Sequence, residues 1–393
     1  MNAARPARSP WPRRLAIAAA VLLAIGAVGC VALAWFIAGR VGAGFAVPQP
    51  PRPDDLEIVA VEGDVIRYRD TRLDVGPKDL GRLAMKLPGG GWVYTHAEVS
   101  VRDGVSERRI DRVEGTPPKP GDLAQFDLSY FPADPQRGLG LAYEEVSYPG
   151  PLGEYPAWYI PGAGSTWLIY AHGRGSTLRE GLRVVDVAHR AGHPALVISY
   201  RNDPGAPRGD GMAKVGADEW EDLEAAIAYA RTRGAAGVIL GGGSMGGAIA
   251  LSLFEHGSPQ AQAVRGIFLD SPALDVGRQS RIAADAMGLP RLVAELGFLL
   301  STWRFGLDWE AMDYLSAVDD VTVPMLVLHG EADSTISAES NRPVFAALAT
   351  QGNATIEIVP GAQHLGLWNH DPAGFERRLS QFLAAVAAAP GGP

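Results

Sequence analysis

A serine flanked by glycines lies between two apolar runs of the chain. Residues 238–240 are Val-Ile-Leu, the composition of a buried parallel strand, and residues 248–253 have that of a buried helix. The segment Gly242-Gly243-Ser244-Met245-Gly246 between them matches G-x-S-x-G, in which a sharp strand-to-helix turn exposes the serine hydroxyl. We therefore predict that Ser244 is a nucleophile and that the backbone N–H of Met245 donates to an oxyanion.

The same glycines allow two other interpretations. They can serve only to let a helix pack closely against a strand. The spacing Gly241-x-Gly243-x-x-Gly246 also fits the dinucleotide-binding fingerprint, and Asp270 follows the next strand, 267–269, about where a ribose-binding acid would lie. The rest of the chain has to decide between these possibilities.

Two later runs are each followed by a residue that can complete a hydrolytic site. Asp333 follows a predicted strand at 325–329, and His364 follows one at 354–359. The chain order Ser, Asp, His is the one expected for a serine nucleophile on a parallel α/β sheet, and such sheets bind ligands at the carboxyl ends of their strands. His364 is therefore the predicted general base, and Asp333 is predicted to orient its ring and stabilise its cation.

Asp270 is a rival for the role of the acid, because it ends the strand one position earlier in the sheet. Chain order and loop context favour Asp333.

An earlier turn, His172-Gly173-Arg174-Gly175, follows the buried strand 166–171. Its small residues let a backbone N–H approach a reacting carbonyl, so the N–H of Arg174 is the predicted second oxyanion donor. His172 and His329 each precede a glycine at a strand end and are predicted to shape their loops.

Taken together, these motifs resemble the α/β-hydrolase superfamily, and most of all its dipeptidyl-peptidase-like and serine-aminopeptidase-like branch, which includes membrane-anchored serine hydrolases. The resemblance covers about residues 140–390 and rests on four segments: 172–175, 242–246, Leu328-His329-Gly330-x-x-Asp333 and Gly361-x-x-His364. It implies a serine hydrolase and says little about the substrate. The dinucleotide interpretation explains neither the upstream His-Gly turn nor the downstream acid and histidine, and is set aside.

Strands alternate with helices from about residue 139 onwards, which predicts an α/β fold with a doubly wound, mainly parallel sheet over 139–393. Segments 141–148 and 155–160 are predicted to enter this sheet as an antiparallel pair. The apolar stretch 276–316 lies where a helical lid is expected. It either packs on the sheet or forms an apolar pocket over Ser244.

The N-terminal region predicts a membrane anchor. A basic tail, residues 1–14, precedes residues 15–39, which carry no charge and are long enough for a transmembrane helix. The positive-inside rule then places the N-terminus in the cytoplasm and the enzyme domain outside it. A cleaved signal peptide and a lipoprotein cleavage site before Cys30 are weaker alternatives. Residues 40–53 are predicted to form a proline-rich linker.

Residues 54–138 are predicted to form a small β-rich module of short alternating strands. It contains no convincing catalytic set, and its lone His96 is given a structural role.

Composition excludes several classes of function. The net charge of −9 argues against nucleic-acid binding, and the single cysteine excludes an intrachain disulfide and a cysteine metal cluster. We expect no cofactor and no metal.

The sequence thus predicts a membrane-anchored, extracytoplasmic serine hydrolase acting on a small-molecule acyl ester or thioester. A peptidase of the same fold is the alternative enzyme, and a catalytically silent binding protein on a hydrolase scaffold is the alternative outside enzymes.

Overall fold

The structure is a computed structural model that describes residues 11–48, 54–71, 80–131 and 133–389. The chain divides into two compact units: Met1–Phe45 with Ser280–Trp309, and Ala46–Gln279 with Glu310–Pro393. The helices are α1 Trp11–Phe45, α2 Pro135–Leu139, α3 Leu182–Arg190, α4 Trp220–Thr232, α5 Met245–Glu255, α6 Val276–Ala286, α7 Arg291–Phe305, α8 Arg342–Gln351, α9 Leu367–His370 and α10 Pro372–Ala388.

The predicted β-rich module is a closed barrel of six strands. The strands are β1 Leu56–Glu62, β2 Val65–Asp70, β3 Leu83–Lys86, β4 Trp92–Arg102, β5 Val105–Glu114 and β6 Leu123–Asp127. They pair in the order β1-β2-β5-β4-β3-β6, and β6 closes the ring by pairing with β1. Alternate residues such as Ile58, Ile66 and Met85 are buried and fill the interior.

The rest of the second unit contains an eight-stranded sheet. The strands are β7 Glu144–Gly150, β8 Gly153–Ile160, β9 Thr166–Ala171, β10 Ala195–Ile198, β11 Gly237–Gly243, β12 Val264–Asp270, β13 Met325–Gly330 and β14 Ala354–Val359. Their order is β14-β13-β12-β11-β9-β10-β8-β7. Strands β9 to β14 pair in parallel, and β7 and β8 are antiparallel at one edge. The predicted doubly wound, mainly parallel sheet is confirmed.

The barrel also packs against the hydrophobic core of the sheet. Tyr94 and Tyr130 of the barrel region belong to the same buried cluster as Trp368 and Phe375, and the rings of Tyr130 and Trp368 lie 5.1 Å apart. Asn369 in α9, fully buried, donates from Nδ2 to the carbonyl oxygens of Arg82 (2.6 Å) and Leu128 (3.0 Å). The barrel is therefore fixed against the sheet by both apolar packing and hydrogen bonds.

The N-terminal helix is longer than the sequence predicted. It begins at Trp11 and ends at Phe45, whereas 15–39 was expected, so the first six residues of the predicted linker are helical. Pro12 is tolerated because a residue in the first turn needs no intrahelical N–H bond. Arg5 and Arg8 of the basic tail and Pro50, Pro51 and Pro53 of the linker lie outside the described residues.

Helix α1 is a candidate membrane span. Residues Arg14–Phe45 reach a mean hydropathy of 2.6 over 18 residues, and none of that window is buried in the protein. In the same unit, α1 packs against α7, where Ala34 and Ala38 are fully buried. The predicted lid stretch consists of the helical pair α6 and α7 followed by irregular chain.

Candidate active site

Ser244 lies at a sharp turn between the end of β11 and the first residue of α5. Its backbone has φ 49° and ψ −112°, a conformation that a residue with a side chain rarely adopts. The turn is held because Ser244 N–H donates to the Asp270 carbonyl (2.9 Å), while its own carbonyl accepts from Gly247 N–H (3.0 Å). The surrounding structure thus maintains a strained backbone that presents the serine.

The two glycines of the motif are required by close backbone contact. A Cβ on Gly242 would collide with the backbone of Gly246, and a Cβ on Gly246 would collide with the carbonyl oxygen of Ala171 at the end of β9. The sequence pattern therefore has a steric cause at both positions.

Ser244, His364 and Asp333 form a continuous chain of hydrogen bonds. His364 Nε2 lies 3.0 Å from Ser244 Oγ, and His364 Nδ1 lies 2.7 Å from Asp333 Oδ2. With the Nδ1 proton donated to the carboxylate, Nε2 is left to accept from the serine hydroxyl. The structure brings together the three residues that the sequence singled out, from loops after β11, β13 and β14.

The carboxylate of Asp333 is held in place by its own loop. Its side chain is fully buried, and Oδ1 accepts the N–H groups of Thr335 and Ile336, each at 2.9 Å. Beside it, burial lowers the pKa of His329, whose Nε2 lies 2.9 Å from the Ile336 carbonyl. A neutral His329 donates there and shapes the loop, as the sequence predicted.

Asp270, the rival acid, is engaged elsewhere. Its Oδ1 accepts from Ser271 Oγ at 3.0 Å, and Ser271 Oγ accepts in turn from the N–H of Leu365, next to His364. Burial raises the pKa of Asp270 to about 6. The hydrogen bond to the His364 ring comes from Asp333.

The turn after β9 lies beside the serine. A Cβ on Gly173 would come within 3.2 Å of Ser244 Cβ, a tight contact that a glycine avoids. The N–H of Gly173 donates to Oε1 of the buried Glu180 (3.0 Å), which also accepts from Tyr170 Oη (3.0 Å). Glu180 therefore holds the backbone of the turn at Gly173, directly before Arg174.

His172 anchors the base of this turn. Its ring is buried, with Nε2 3.0 Å from Asp203 Oδ2 and Nδ1 2.9 Å from the Gly173 carbonyl. Burial lowers the pKa of His172, but the charge and hydrogen bond of Asp203 more than offset this and raise it to about 9. A cationic His172 donates from both ring nitrogens, which agrees with the loop-shaping role predicted for it.

Comparison with known proteins shows which fold carries this geometry. Esterase Pf2001 from Pyrococcus furiosus superposes with a TM-score of 0.52 at 17% identity, over 65% of this chain and 96% of that one. The chain has the α/β-hydrolase fold.

Two further solved structures superpose with lower TM-scores. Esterase RhEst1 from Rhodococcus sp. ECU1013 has a TM-score of 0.45 at 16% identity, over 62% of this chain and 99% of that one. XC6422 from Xanthomonas campestris, described as an α/β serine hydrolase without a lid, has a TM-score of 0.44 at 14% identity, over 63% and 96% of the two chains. The sequence matches no protein-family model, and no curated protein matches it significantly.

In this α/β-hydrolase fold, the barrel borders the site. Beside His364 lies a small surface depression. Leu80 before β3 and Leu128 after β6 line it together with Gln363, His364, Gly366 and His370. The module in which the sequence offered no catalytic set therefore contributes apolar side chains next to the histidine.

Sequence reasoning missed the residues that support the site. Glu180, Asp203 and Ser271 position the turns around Ser244, yet each is an isolated polar residue in the sequence. The one available signal was the polar character of residues that immediately follow buried strands, as for Ser271 after β12. Among the described residues, no group of three or more His, Cys, Asp or Glu is arranged to hold a metal ion.

Proposed function

We propose that this protein is a serine hydrolase that cleaves carboxylic esters or thioesters through an acyl-enzyme. The observation that carries the proposal is the hydrogen-bonded chain from Ser244 through His364 to the buried Asp333, set on a strained strand-to-helix turn. A strained serine that is hydrogen-bonded to an oriented imidazole has the arrangement that nucleophilic catalysis requires.

In the proposed first half-reaction, Ser244 Oγ attacks the carbonyl carbon of the substrate while His364 Nε2 takes the hydroxyl proton. The tetrahedral intermediate collapses, the bond to the alcohol or thiol breaks, and His364 returns the proton to the leaving group. Water then attacks the acyl-Ser244 ester by the same route, which releases the acid and restores the serine. Asp333 keeps the ring oriented and stabilises its cationic form in both halves.

The negative charge on the carbonyl oxygen is proposed to be stabilised by the backbone N–H groups of Met245 and Arg174. Met245 is the first residue of α5, where helix geometry leaves N–H groups without an intrahelical acceptor. Arg174 belongs to the turn that approaches Ser244 through Gly173. Two such donors, fixed before the reaction, are worth more than mobile water in the same place.

Ester or thioester substrates are preferred over peptides on two grounds. The protein from Pyrococcus furiosus with a similar fold is an esterase by name. The side chains beside His364 include Leu80 and Leu128, whose apolar surface suits an apolar acyl or alcohol group. A peptidase of the same fold is the alternative.

We further propose that α1 crosses a membrane once and anchors the enzyme, with the N-terminus in the cytoplasm and residues 46–393 outside it. The length and hydropathy of α1 support a span. Arg13 and Arg14 at its start, with Arg5 and Arg8 before them, support this orientation.

Labelling with a fluorophosphonate, followed by a substrate panel, tests the proposed activity on the full chain in detergent. Wild-type protein should be labelled and Ser244→Ala should not, and the wild type should hydrolyse p-nitrophenyl esters and acyl thioesters. Faster turnover of aminoacyl p-nitroanilides than of esters would favour the peptidase. An unlabelled, well-folded wild type without turnover would leave the silent binding protein as the better description.

A further inference from the structure

The unit formed by α1 and residues 280–309 exposes an apolar stripe along one face of α7. Its most exposed members are Leu292 (66%), Leu299 (65%) and Trp303 (74%), and the half-buried Leu296 and Leu300 lie beside them. The spacings of four, three, one and three residues place all five on one side of a helix. The stripe contains no charged side chain.

The turn that leads into α7 extends this surface. Met287, between α6 and α7, is 70% exposed. A surface with this many large, exposed and adjacent apolar side chains is unusual for a protein face in water and marks an interaction site.

The stripe is continuous with the apolar surface of α1. Gly297 of α7 admits Ile37 so closely that a Cβ on the glycine would lie 3.1 Å from it, and Gly42 of α1 likewise makes room for the ring of Phe305. Alongside these contacts, the rings of Trp35 and Trp303 lie 6.2 Å apart. An uninterrupted apolar surface therefore runs from exposed α1 residues such as Phe36 across Trp35 to Trp303.

The length of α1 shows where a bilayer would end relative to α7. At about 1.5 Å per residue, its 35 residues extend roughly 52 Å, whereas a bilayer core is about 30 Å thick. About fifteen residues of the helix therefore lie beyond the core. The contacts with α7 fall on residues 34–42, towards the end opposite the arginines.

The chemistry around the stripe fits the boundary between lipid headgroups and acyl chains. The Arg304 guanidinium lies 3.9 Å from the centre of the Trp35 ring, and aromatic and basic side chains with an apolar body and a polar end favour this boundary. At the edge of the stripe, Glu295 pairs with Arg281 at 3.2 Å. These charges argue against burial in the acyl core and are compatible with contact to headgroups.

We propose that helix α7 is a second membrane contact: its stripe and Met287 insert into the leaflet from which α1 emerges, at the depth of the headgroup boundary. This inference rests on the proposed anchorage by α1. The occupant of the stripe is the lipid bilayer itself, and the amphipathic α7 lies in the interface beside the helix that spans it.

A fluorescent probe whose emission reports polarity tests this in the full-length protein reconstituted into phosphatidylcholine–phosphatidylglycerol vesicles. In a Cys30→Ala background, the probe is attached at Leu299→Cys, with Leu292→Cys as a second stripe position. Val21→Cys, at a 52% exposed α1 residue, reports on the anchorage, and Leu123→Cys, at a 46% exposed leucine of β6, is the matched control. Far-UV spectra and gel filtration establish that each variant is folded.

The stripe probes should emit at shorter wavelength than the probe at Leu123→Cys. They should also be quenched more strongly by a lipid-borne quencher near the headgroups than by one at the end of the acyl chain, since an interfacial helix lies about 5–10 Å deep. The probe at Val21→Cys should show the reverse preference. A water-exposed signal at both stripe positions, with Val21→Cys in lipid, would overturn the inference and leave the anchorage standing.

Two other outcomes would also overturn the inference that α7 contacts the membrane. A water-exposed probe at Val21→Cys would remove the anchorage, and the inference with it. Stripe probes that are blue-shifted but insensitive to both lipid quenchers, in a protein that is dimeric in detergent, would show that a second copy of the chain occupies the stripe.

Discussion

The proposed roles of Ser244, His364 and Asp333 can be separated by substitution. Ser244→Ala and His364→Ala should each reduce kcat by a factor on the order of 10⁴ or more, because the three groups act as a unit. Asp333→Asn should reduce kcat by a somewhat smaller factor. Measured kcat values on a p-nitrophenyl ester, with thermal melts to establish folding, check this.

Asp270→Asn is the matched control for the acid, because it removes a buried carboxylate that bonds Ser271 rather than the His364 ring. It should leave most of the activity. A severe Asp270→Asn defect beside a mild Asp333→Asn defect would reverse the assignment.

Arg174 is proposed to act through its backbone N–H. Substitutions that keep this N–H and substitutions that remove it should therefore differ in their effect on activity. Arg174→Ala keeps the N–H and should retain much of the activity on a neutral ester, whereas Arg174→Pro removes the N–H and should lose roughly 10² to 10³ in kcat. Far-UV spectra must first establish an intact fold. A severe Arg174→Ala defect confined to anionic esters would instead make the guanidinium a carboxylate clamp.

The buried pair of His172 and Asp203 should make stability depend on pH. The pKa of His172 is raised in the folded state to about 9 from its ordinary value of 6.5, so the folded protein holds the proton more tightly. The stabilisation is therefore complete below about pH 6.5 and is lost as the pH rises towards 9. Urea unfolding of wild type and His172→Gln across this range measures it. The difference between the two should shrink with rising pH, and a constant difference would contradict the argument.

At the scale of elements, Asn369 in α9 is the link between the barrel and the sheet. Asn369→Leu keeps the volume but leaves the carbonyls of Arg82 and Leu128 without their donor, which should cost about 1 to 3 kcal/mol of unfolding free energy. Amide hydrogen exchange in β3 should also accelerate.

Asn353→Leu is the control for the loss of an amide that donates to two carbonyls, because Asn353 donates to Val321 (2.6 Å) and Val323 (3.0 Å), outside the barrel. It should destabilise the protein without selectively accelerating amide hydrogen exchange in β3. Equal exchange in β3 for both variants would mean that Asn369 does not hold the barrel.

The strands and helices around the site could be predicted from the sequence because each central strand is a continuous apolar run that ends in a polar or glycine-rich loop. Strands β9 and β14 were predicted to the residue. The closure of the barrel could not be predicted, because alternation identifies a strand but not its partners. The end of α1 was placed too early because the uncharged stretch ends at Arg40, whereas the helix continues to Phe45 and Phe305 packs at Gly42.

The proximity of Ser244, Asp333 and His364 was predictable because parallel strands present their carboxyl ends at one edge of a sheet. The supporting role of Glu180 was not predictable. Its partners, the Tyr170 hydroxyl and the Gly173 N–H, come together only through the path of the turn after β9.

At the scale of the whole molecule, the proposed topology is open to a direct test. Alkaline phosphatase fused after Pro393 should be active on the far side of the membrane, and β-galactosidase at the same point should not, because basic residues retain the N-terminus. The full-length protein should remain with membranes after a high-salt wash and leave them in detergent. Recovery of a soluble form that begins near residue 40 would show a cleaved signal instead.

The wide separation of Ser244 and His364 along the chain has a consequence during biosynthesis. The serine and its base are 120 residues apart, and at about 5 to 20 residues per second the ribosome needs on the order of ten seconds to pass from one to the other. Until then the nascent chain has a serine without a base. The proposed chemistry therefore leaves the growing polypeptide unable to hydrolyse esters until His364 has emerged and folded beside Ser244.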